Sequence, residues 1–411
     1  MTIIETDQHA PIEGFTVDDG CLCVGGQRVD TLIAAQGVPA YLYDRSLISQ
    51  RVVTLRQSLP QRVHLHYAIK ANPHPEIVTL LADAVDGLDV ASAREIDIAM
   101  AAGGDPEHIS FAGPGKRATE LARAVSAGII TNIESVRELE ILAQLGQQQS
   151  VRPRIAVRVN PPFQLKTSGM KMGGGSQQFG IDAEQVPQVL ARLAELPVEF
   201  SGFHIFSGSQ NLRPDALCEA QQLTVDLAIE LARHAPSPVR LLNIGGGFGV
   251  PYFPGDTPLE LKPIHDNLER LCDKVEAVLP EARLTLELGR YFVAEAGVYC
   301  CTVIDRKVSR GQVFLVTDGG LHHHLAASGN FGQVIRKNYP VTIANRIGAT
   351  ETEVASVVGP LCTPLDLLAD RMSLPVAQPG DIVAVFQSGA YGLTASPRGF
   401  LSHPEAVELV L

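Results

Sequence analysis

Several short apolar segments of the chain end in polar residues or glycines. These polar residues and glycines are Lys70, Asp89, Arg158, His204, Gly245–Gly247, Glu287 and Arg290. A lysine amine can form a Schiff base with an aldehyde, and a carboxylate can keep a pyridine nitrogen protonated. Consecutive glycines let backbone N–H groups approach a phosphate, and an imidazole can lie against a ring. Together these groups are the parts of a pyridoxal phosphate site.

Each of these residues, taken alone, also has an ordinary structural explanation. A lysine that ends an apolar strand is usually a surface residue, and a glycine triplet is more often a tight turn. A lone histidine is usually hydrogen-bonded for structural reasons, and Glu287 could simply pair with Arg290. The case for a site therefore depends on whether the fold brings these residues together.

The chain from about residue 60 to 290 alternates short apolar runs with amphipathic helical segments. The predicted strands are Val63–Ile69, Leu88–Ala91, His108–Ala112, Ile129–Asn132, Ile155–Val159, Phe200–Phe206, Leu241–Ile244 and Leu284–Leu288. Such alternation predicts a parallel sheet, and eight units favour a (β/α)8 barrel over a doubly wound sheet. Because barrel active sites lie at the carboxyl ends of the strands, the barrel predicts that the polar residues share one rim.

The sequence changes character after residue 290, where mostly strand-like segments follow one another. These predicted strands are Val298–Val308, Val313–Thr317, Val341–Ala344, Glu353–Val358 and Ile382–Gln387. The N-terminal stretch Phe15–Val29 predicts a hairpin around Asp19-Gly20, and it is expected to join this second domain. We therefore expect a β segment at residues 1–35 that joins the C-terminal domain, a cofactor-binding barrel at 36–290, and a β domain at 291–411 that contributes to the site of a dimer.

Composition excludes several classes of function. The 411 residues are 45% apolar and 19% charged, and 33 basic against 45 acidic residues give a net charge of −12. An acidic chain is unsuited to nucleic acid or anionic membranes. No apolar run approaches the length of a membrane span, and the N-terminus lacks a signal-peptide pattern. Seven cysteines without a C-x-x-C pair indicate reduced thiols, so a cytoplasmic location is expected.

The ordered set of motifs resembles the fold-type III pyridoxal phosphate decarboxylases, the group of diaminopimelate, ornithine and arginine decarboxylases. The motifs are Tyr67–Asn72 (YAIKAN), Asp89–Ser92 (DVAS), Phe179–Ile181 (FGI), His204–Gln210 (HIFSGSQ), Asn243–Gly249 (NIGGGFG), Glu287–Arg290 (ELGR), Gly359–Cys362 (GPLC) and Gly389–Tyr391 (GAY). The resemblance implies an alanine racemase-like barrel with a C-terminal β-sandwich or Greek-key barrel domain, pyridoxal 5′-phosphate as cofactor, and a homodimer with shared active sites.

The resemblance also implies a role for each matching residue of the barrel. Lys70 would form the Schiff base with the cofactor, His204 would stack on its ring, and Glu287 would pair with its pyridine nitrogen. The phosphate would be bound by Ser209, Gly245, Gly246 and Gly247. Asp89 and Arg158 would lie on the cofactor side of the site.

Further roles fall on residues at or beyond the end of the barrel. Arg290 would contact phosphate or substrate, and Tyr391 would reach the phosphate and the substrate. Cys362 would enter the site from the partner subunit. Either Cys362 or a nearby water would then protonate the carbanionic quinonoid after CO2 leaves. Without this context, Cys362 would be taken for a buried cysteine of a β domain.

Departures from the family pattern concern the substrate. Diaminopimelate and ornithine decarboxylases carry an acidic residue directly after the active cysteine, whereas this chain has Thr363 at that substrate-binding position. An Arg that binds the distal carboxylate of diaminopimelate is missing from the stretch 318–332, although Arg336 could substitute. The usual His-x-Gly-Ser-Gln is also lengthened by Phe206-Ser207.

These departures resemble a narrower branch, the exosortase A system-associated decarboxylases and the enzyme that decarboxylates glutamate held on an acyl carrier protein. The matching stretches are Leu165–Gly175, Phe206–Leu212, His322–Arg336 and Cys362–Leu368. We therefore expect α-decarboxylation of an amino acid bound as a carrier-protein thioester.

Three other functions stay open at this point. The first is an orthodox meso-diaminopimelate decarboxylase of lysine biosynthesis. The second is a racemase on the same barrel, against which Glu287 argues because such racemases place an Arg at the pyridine nitrogen. The third is a non-catalytic regulator, which retention of Lys70, Cys362 and Glu287 disfavours. No metal site is expected, because three consecutive histidines on a strand, His322–His324, would point to alternating faces.

Overall fold

The computed structural model describes residues 9–164, 170–171 (backbone only), 173–331, 333 and 336–411. Parts of the predicted Leu165–Gly175 and His322–Arg336 motifs lie outside these described residues. The chain divides into two compact units, which we name the β unit and the barrel unit. The β unit comprises Met1–Gln50, Val250–Pro258 and Arg290–Leu411, and the barrel unit comprises Arg51–Gly249 and Leu259–Gly289.

The strands, in chain order, are β1 (Thr16–Asp18), β2 (Cys21–Val24), β3 (Gln27–Arg28), β4 (Ala40–Tyr43), β5 (His64–Ala68), β6 (Gly87–Val90), β7 (Ile109–Phe111), β8 (Ile130–Ile133), β9 (Arg154–Asn160), β10 (Met170–Lys171), β11 (Ile181–Asp182), β12 (Glu199–Ile205), β13 (Gly208–Ser209), β14 (Leu241–Gly246), β15 (Arg283–Leu288), β16 (Gly297–Ser309), β17 (Gln312–Thr317), β18 (Val341–Ile343), β19 (Thr352–Val358), β20 (Leu367–Pro375), β21 (Ile382–Val385) and β22 (Val407–Val410). The helices are α1 (Val29–Gln36), α2 (Arg45–Ser58), α3 (Pro75–Ala82), α4 (Ala93–Ala101), α5 (Ala118–Ala127), α6 (Val136–Gln149), α7 (Val186–Ala194), α8 (Pro214–Ala232), α9 (Lys262–Val278) and α10 (Arg290–Val293).

The barrel unit is a closed parallel barrel, as the alternating pattern predicts. Its hydrogen-bonded order is β5-β6-β7-β8-β9-β12-β14-β15, and β15 pairs with β5 to close the cylinder. All eight predicted strands form, with ends that shift by one or two residues. The prediction of a (β/α)8 barrel is confirmed.

Helices of the barrel begin where the capping residues predict. The Ser92 and Ser135 hydroxyls accept hydrogen bonds from the backbone N–H groups of Glu95 (3.2 Å) and Glu138 (3.3 Å). Both glutamates bend back to the residue before the cap rather than to the cap itself, so that Glu138 accepts from the Glu134 N–H at 2.8 Å. This variation of the capping box brings a carboxylate to the end of β8.

The β unit is built on a mixed sheet of eight strands. Six of them lie in the order β18-β21-β16-β17-β19-β20, and β4 pairs with β16 and with β22. Strands β4, β20 and β22 are additions to the predicted set. The predicted hairpin forms as β1 and β2, with both turn residues Asp19 and Gly20 at positive φ.

The sequence predicts domain boundaries at residues 35 and 290. The β unit of the structure includes two further segments, the residues up to Gln50 and Val250–Pro258. Because β4 pairs with β16 at Ala40–Tyr43, the β unit extends through Gln50. The segment Val250–Pro258 also belongs to the β unit, although it follows β14 of the barrel. Among the described residues, no helix combines the length and the apolar character needed to cross a membrane.

Candidate active site

The barrel unit brings Lys70, His204 and Glu287 together. Lys70 lies in the short 3-10 turn Ile69–Ala71 that follows β5, and its Nζ is 3.3 Å from Glu287 Oε1. His204 Nε2 is 3.1 Å from the other carboxylate oxygen, Oε2. The Lys70 side chain is 45% exposed, whereas the other two side chains are buried. An accessible amine thus lies beside a buried carboxylate and a buried imidazole.

The Glu287 carboxyl stays ionised inside the barrel. Burial by itself would raise the pKa of this carboxyl, but Lys70, His204 and Arg158 oppose burial and hold the pKa below its usual range. His204 Nε2 and Glu287 Oε2 are close, yet neither atom makes a hydrogen bond of good geometry to the described part of the chain. His204 Nδ1 likewise lacks such a partner. Buried polar atoms of this kind require a ligand or water.

Strand register explains why these side chains meet. Arg158 of β9 lies opposite His204 of β12, and Gly246 of β14 lies opposite Glu287 of β15. Register partners in a parallel pair point to the same face. The carboxyl ends of four neighbouring strands therefore supply Arg158, His204, Gly246 and Glu287 to one rim, as predicted.

The glycine segment after β14 forms a close turn that larger residues would not fit. Gly245 and Gly247 have φ values of 69° and 78°, which favour glycine. A Cβ on Gly246 would collide with the backbone oxygen of Glu287, and one on Gly247 would lie 2.5 Å from the Gly208 oxygen. The Ser209 hydroxyl is buried without a hydrogen-bond partner among the described residues. These features suit a cradle for an anion.

Arg158 and Asp89 belong to two separate polar networks of the barrel. Arg158 Nη1 is 2.9 Å from Glu134 Oε1, and its guanidinium carbon lies 4.9 Å from the centre of the Phe179 ring. Asp89 accepts a hydrogen bond from the Ser110 hydroxyl and lies 3.4 Å from His66 Nδ1. Asp89 Oδ2 is buried and makes no hydrogen bond of good geometry to a described residue. The expected place of both side chains on the cofactor side stays a prediction.

Glu134 connects several segments of the rim. It accepts hydrogen bonds from the backbone N–H groups of Gly113 (2.6 Å) and Gly180 (2.9 Å) as well as from Arg158. Buried Lys116 lies 3.8 Å from Glu134 and 3.0 Å from Glu138. Four buried charges of alternating sign thus join the ends of β7, β8 and β9 and the segment before β11.

In the β unit, Arg290 lies between two aromatic rings. Its guanidinium carbon is 4.9 Å from the centre of the Tyr391 ring and 5.6 Å from that of Tyr252. No carboxylate of the described chain lies within ion-pair distance of Arg290. Burial opposes the charge, but the neighbouring tyrosines raise the pKa of Arg290. A flat, unpaired guanidinium between aromatic rings is suited to bind an anion.

Cys362 lies in an exposed turn, and it is the single exposed cysteine among the seven, all of which are free thiols. The turn is fixed by buried Asp366, whose carboxylate accepts hydrogen bonds from the backbone N–H groups of Leu321 (2.6 Å) and Leu361 (2.8 Å). The alternative interpretation of Cys362 as a buried residue of the β domain is therefore wrong.

Thr363 and Arg336, which the sequence analysis relates to the far end of the substrate, are occupied by structural contacts. The Thr363 hydroxyl accepts a hydrogen bond from the Leu365 N–H at 3.3 Å. Arg336 donates to the backbone oxygens of Ser328 (3.2 Å) and Leu367 (3.0 Å) and to Asn338 Oδ1 (2.6 Å). The suggestion that Arg336 replaces a carboxylate-binding arginine finds no support in these contacts.

His322–His324 lie in a turn and not on a strand, so the argument from alternating faces does not apply. The rings of His322 and His323 are 3.8 Å apart, His323 contacts the Tyr299 hydroxyl (3.0 Å), and His324 contacts the Ser388 hydroxyl (2.9 Å). Burial lowers the pKa of His322 to about 4 and that of His324 to about 3. The described residues contain no group of three or more side chains that could hold a metal ion.

Sequence reasoning noted Phe206 only as part of a lengthened motif, and it missed Tyr252 and Glu134. Phe206 lies 5.8 Å from Lys70 Nζ, Tyr252 flanks Arg290, and Glu134 holds Arg158. Phe206 and Tyr252 lie within or close to a noted motif, and that proximity was the available signal. Glu134 precedes the helix cap Ser135, which gave no hint of a link to Arg158.

The arrangement fits pyridoxal phosphate. Lys70 supplies an accessible amine, Glu287 an ionised carboxylate, and His204 a buried ring whose nitrogens lack hydrogen bonds to described residues. The glycine turn and the Ser209 hydroxyl supply donors for a phosphate. No group in this set has a chemistry that conflicts with the cofactor.

Comparison with known proteins agrees with the site. Residues 45–294 match the family model described as pyridoxal-dependent decarboxylase, pyridoxal binding domain. The chain is 37% identical to the L-glutamyl-[BtrI acyl-carrier protein] decarboxylase of Niallia circulans over 90% of this chain and 88% of that protein. It is 31% identical to the diaminopimelate decarboxylase of Aquifex aeolicus over 96% and 91% of the two chains.

A solved structure shows the same architecture. The diaminopimelate decarboxylase of Helicobacter pylori complexed with L-lysine superposes with a TM-score of 0.82 at 28% identity, over 93% of each chain. The family match covers more than half of this chain, and the relatives are aligned along nearly all of it. The chain therefore belongs to the fold-type III pyridoxal phosphate-dependent decarboxylases, with the alanine racemase-like fold, and is a carboxy-lyase that uses pyridoxal 5′-phosphate.

Proposed function

We propose that this enzyme removes the α-carboxylate of an amino acid that is bound through a thioester to an acyl carrier protein. The observation that carries the choice of substrate is Thr363, which supplies no charge where a free diamino acid needs a partner for its distal ammonium. An ammonium buried without a paired charge is strongly disfavoured. A thioester-linked substrate has no such charge at its far end.

Two further observations support this choice. All three guanidinium nitrogens of Arg336 are engaged by protein oxygens, which leaves this residue unsuited to a distal carboxylate. The 37% identical relative acts on a glutamyl group of an acyl carrier protein, as its name states. The diaminopimelate decarboxylases of Aquifex aeolicus and Helicobacter pylori are similar over as much of the chain, at 31% and 30% identity.

Pyridoxal phosphate, when bound, supplies an aldehyde that condenses with amines and a ring that accepts the electrons left by departing CO2. In the barrel unit, Lys70 Nζ would hold the cofactor covalently, because it is the accessible amine beside Glu287. The Glu287 carboxylate, which its neighbours keep ionised, would hold a proton on the nitrogen that faces it. His204 would pack on the ring, and Gly245–Gly247 with Ser209 would bind the phosphate.

Residues of the β unit would act on anions and on the proton. Arg290, between Tyr252 and Tyr391, would bind a phosphate or carboxylate oxygen. Cys362 would deliver a proton to the α-carbon, since its thiol lies on the exposed surface where it can serve another subunit. A homodimer with shared active sites and a cytoplasmic location complete the proposal.

The proposal is tested by CO2 release from purified holoenzyme. Glutamyl and other aminoacyl thioesters of a carrier protein are compared with free glutamate, lysine, ornithine and diaminopimelate. We expect turnover of a thioester and loss of turnover in Lys70→Ala. Turnover of diaminopimelate alone would replace the proposed substrate with that of an orthodox diaminopimelate decarboxylase.

The shared site is tested separately by mixing two inactive variants. Lys70→Ala and Cys362→Ala each remove a different residue of the site. If each site takes Lys70 from one subunit and Cys362 from the other, a mixed dimer contains one site with both residues intact. We expect activity to return on mixing, to about a quarter of the wild-type level if random exchange makes half of the dimers mixed. No recovery, or full activity of a monomer at high dilution, would contradict the shared site.

A further inference from the structure

The barrel unit contains a cavity of about 510 Å³ at the end opposite to Lys70. It opens among the first residues of the parallel strands, such as His64 of β5, Ile109 of β7, Arg154 of β9 and Arg283 of β15. Lys70 and the glycine turn follow the other ends of their strands. The volume lies within the range of small-molecule sites, about 300–1,000 Å³.

Three arginines line this cavity, and they differ in how their charge is compensated. Arg240 is paired with Glu199 at 2.8 Å and lies 3.7 Å from Glu281. Arg154 has its nearest carboxylate, Glu107, at 4.0 Å, and its guanidinium donates instead to the backbone oxygens of Pro106 and Gly128. Arg283 has no carboxylate within ion-pair distance in the described part of the chain. Arg283 is thus left without a close counterion, and Arg154 has one only at the limit of ion-pair distance.

The contact of Arg283 with His108 adds no negative charge. His108 Nδ1 is 3.1 Å from the backbone oxygen of Asp86, so this nitrogen must carry the proton and donate. The other nitrogen, Nε2, then accepts from Arg283 Nη1 at 3.0 Å. Burial, with a contribution from Arg283, lowers the pKa of both His108 and His64. Arg283 is therefore held in place by a neutral ring.

The floor of the cavity is polar and incompletely hydrogen-bonded. The His66 side chain lines the cavity and is 6% exposed, and its Nδ1 atom lies 3.4 Å from Asp89 Oδ2 without a hydrogen bond of good geometry. The hydroxyls of Ser110, Ser201 and Thr285 lie beside it and are buried.

We propose that this N-terminal mouth of the barrel is a second binding site, which takes a small oxyanion of the phosphate or sulfate type between Arg154 and Arg283. Guanidinium groups bind such anions through paired N–H donors, and the Ser201 hydroxyl supplies a further donor. The carboxylates Glu107, Glu199 and Glu281 stand at the exposed outer edge. They repel an extended polyanion but leave room for a single small one.

The test is calorimetric titration of the holoenzyme with inorganic phosphate, in which the catalytic phosphate site is already filled by the cofactor. Sodium chloride at equal ionic strength serves as the blank. We expect saturable binding that Arg283→Met weakens by about 10- to 100-fold, the loss of one charge-assisted contact. Arg192→Met, which removes the same charge from an exposed ion pair elsewhere in this unit, is expected to leave the affinity unchanged.

Two further variants separate this site from folding defects and from the catalytic site. Glu281→Gln removes an outer carboxylate and is expected to tighten phosphate binding about two- to threefold. Lys70→Ala, loaded with cofactor, is expected to bind phosphate at this mouth as the wild type does. Absence of saturable binding, or equal affinity in the wild type and Arg283→Met, would overturn the proposal.

Discussion

Glu134→Gln is the substitution that most directly tests how the rim around the site is held together. The carboxylate accepts partly buried backbone hydrogen bonds from Gly113 and Gly180 and makes a buried pair with Arg158. Glutamine has the same shape but one acceptor oxygen fewer. Its NH₂ group would therefore face an N–H donor, and Arg158 would lose its buried counterion.

The expected loss follows from these contacts. Removing one partner of a buried ion pair costs about 3–5 kcal/mol. For a unit of this size each kcal/mol lowers the melting temperature by about 2–4 °C, so we expect a fall on the order of 10 °C. The matched control is Glu140→Gln on the same helix α6, where the pair with Arg192 is exposed and is worth roughly 0–1 kcal/mol.

The pH dependence of this loss has a definite sign. Burial opposes the charge of Glu134, but Arg158, Lys116 and two backbone N–H groups outweigh burial and lower its pKa. A lowered folded-state pKa gives stability that is complete above the unfolded pKa, about 4.3, and is lost as the pH falls through the folded value. The difference in melting temperature between wild type and variant should therefore be constant from pH 7 to 5 and smaller below about pH 4. Equal melting temperatures at pH 7 would refute the account of the rim.

Three other substitutions test separate parts of the structure. Gly246→Ala places a Cβ against a backbone oxygen of β15. We therefore expect the cofactor Kd to rise at least tenfold, which is on the order of 1.4 kcal/mol. The control Gly115→Ala has open space around it and should leave the Kd unchanged. Arg290→Lys loses the planar contact with both tyrosines, and we expect kcat/KM to fall roughly tenfold without a change in circular dichroism; unchanged kcat/KM would show that the planar group is not needed. Asp366→Asn leaves one of two buried N–H groups unpaired, and calorimetry should show a loss of about 1–3 kcal/mol; an unchanged melting temperature would count against this anchor of the Cys362 turn.

The barrel and its catalytic rim follow from local patterns. Each strand of the barrel is buried on both faces and reads as a short apolar run, so the position after each run predicts a rim residue. Lys70, His204, Gly246 and Glu287 meet because consecutive parallel strands end at one rim, although the register shifts in β12 and again just before Gly246. The set of residue types indicated pyridoxal phosphate, which no single residue specified, and the family resemblance added a role for each residue.

Other features depend on partners that are distant in sequence. Strand β22 forms at the C-terminus by pairing in parallel with β4, which lies near the other end of the chain. Charged residues such as Asp370 and Arg371 obscure the apolar pattern of β20. Glu134 receives its partners from three other segments of the rim, so its role could not be inferred from its neighbours in the sequence.

The identity of the substrate is the central claim, and it can be measured on the carrier protein itself. Intact-protein mass spectrometry of a glutamyl-loaded carrier, before and after incubation with the holoenzyme, reports the loss of one CO2 directly. The account predicts that the carrier loses this mass with wild-type enzyme and keeps it with Lys70→Ala, while free diaminopimelate in the same reaction is unchanged. A carrier of unchanged mass in a reaction that converts diaminopimelate to lysine would contradict it.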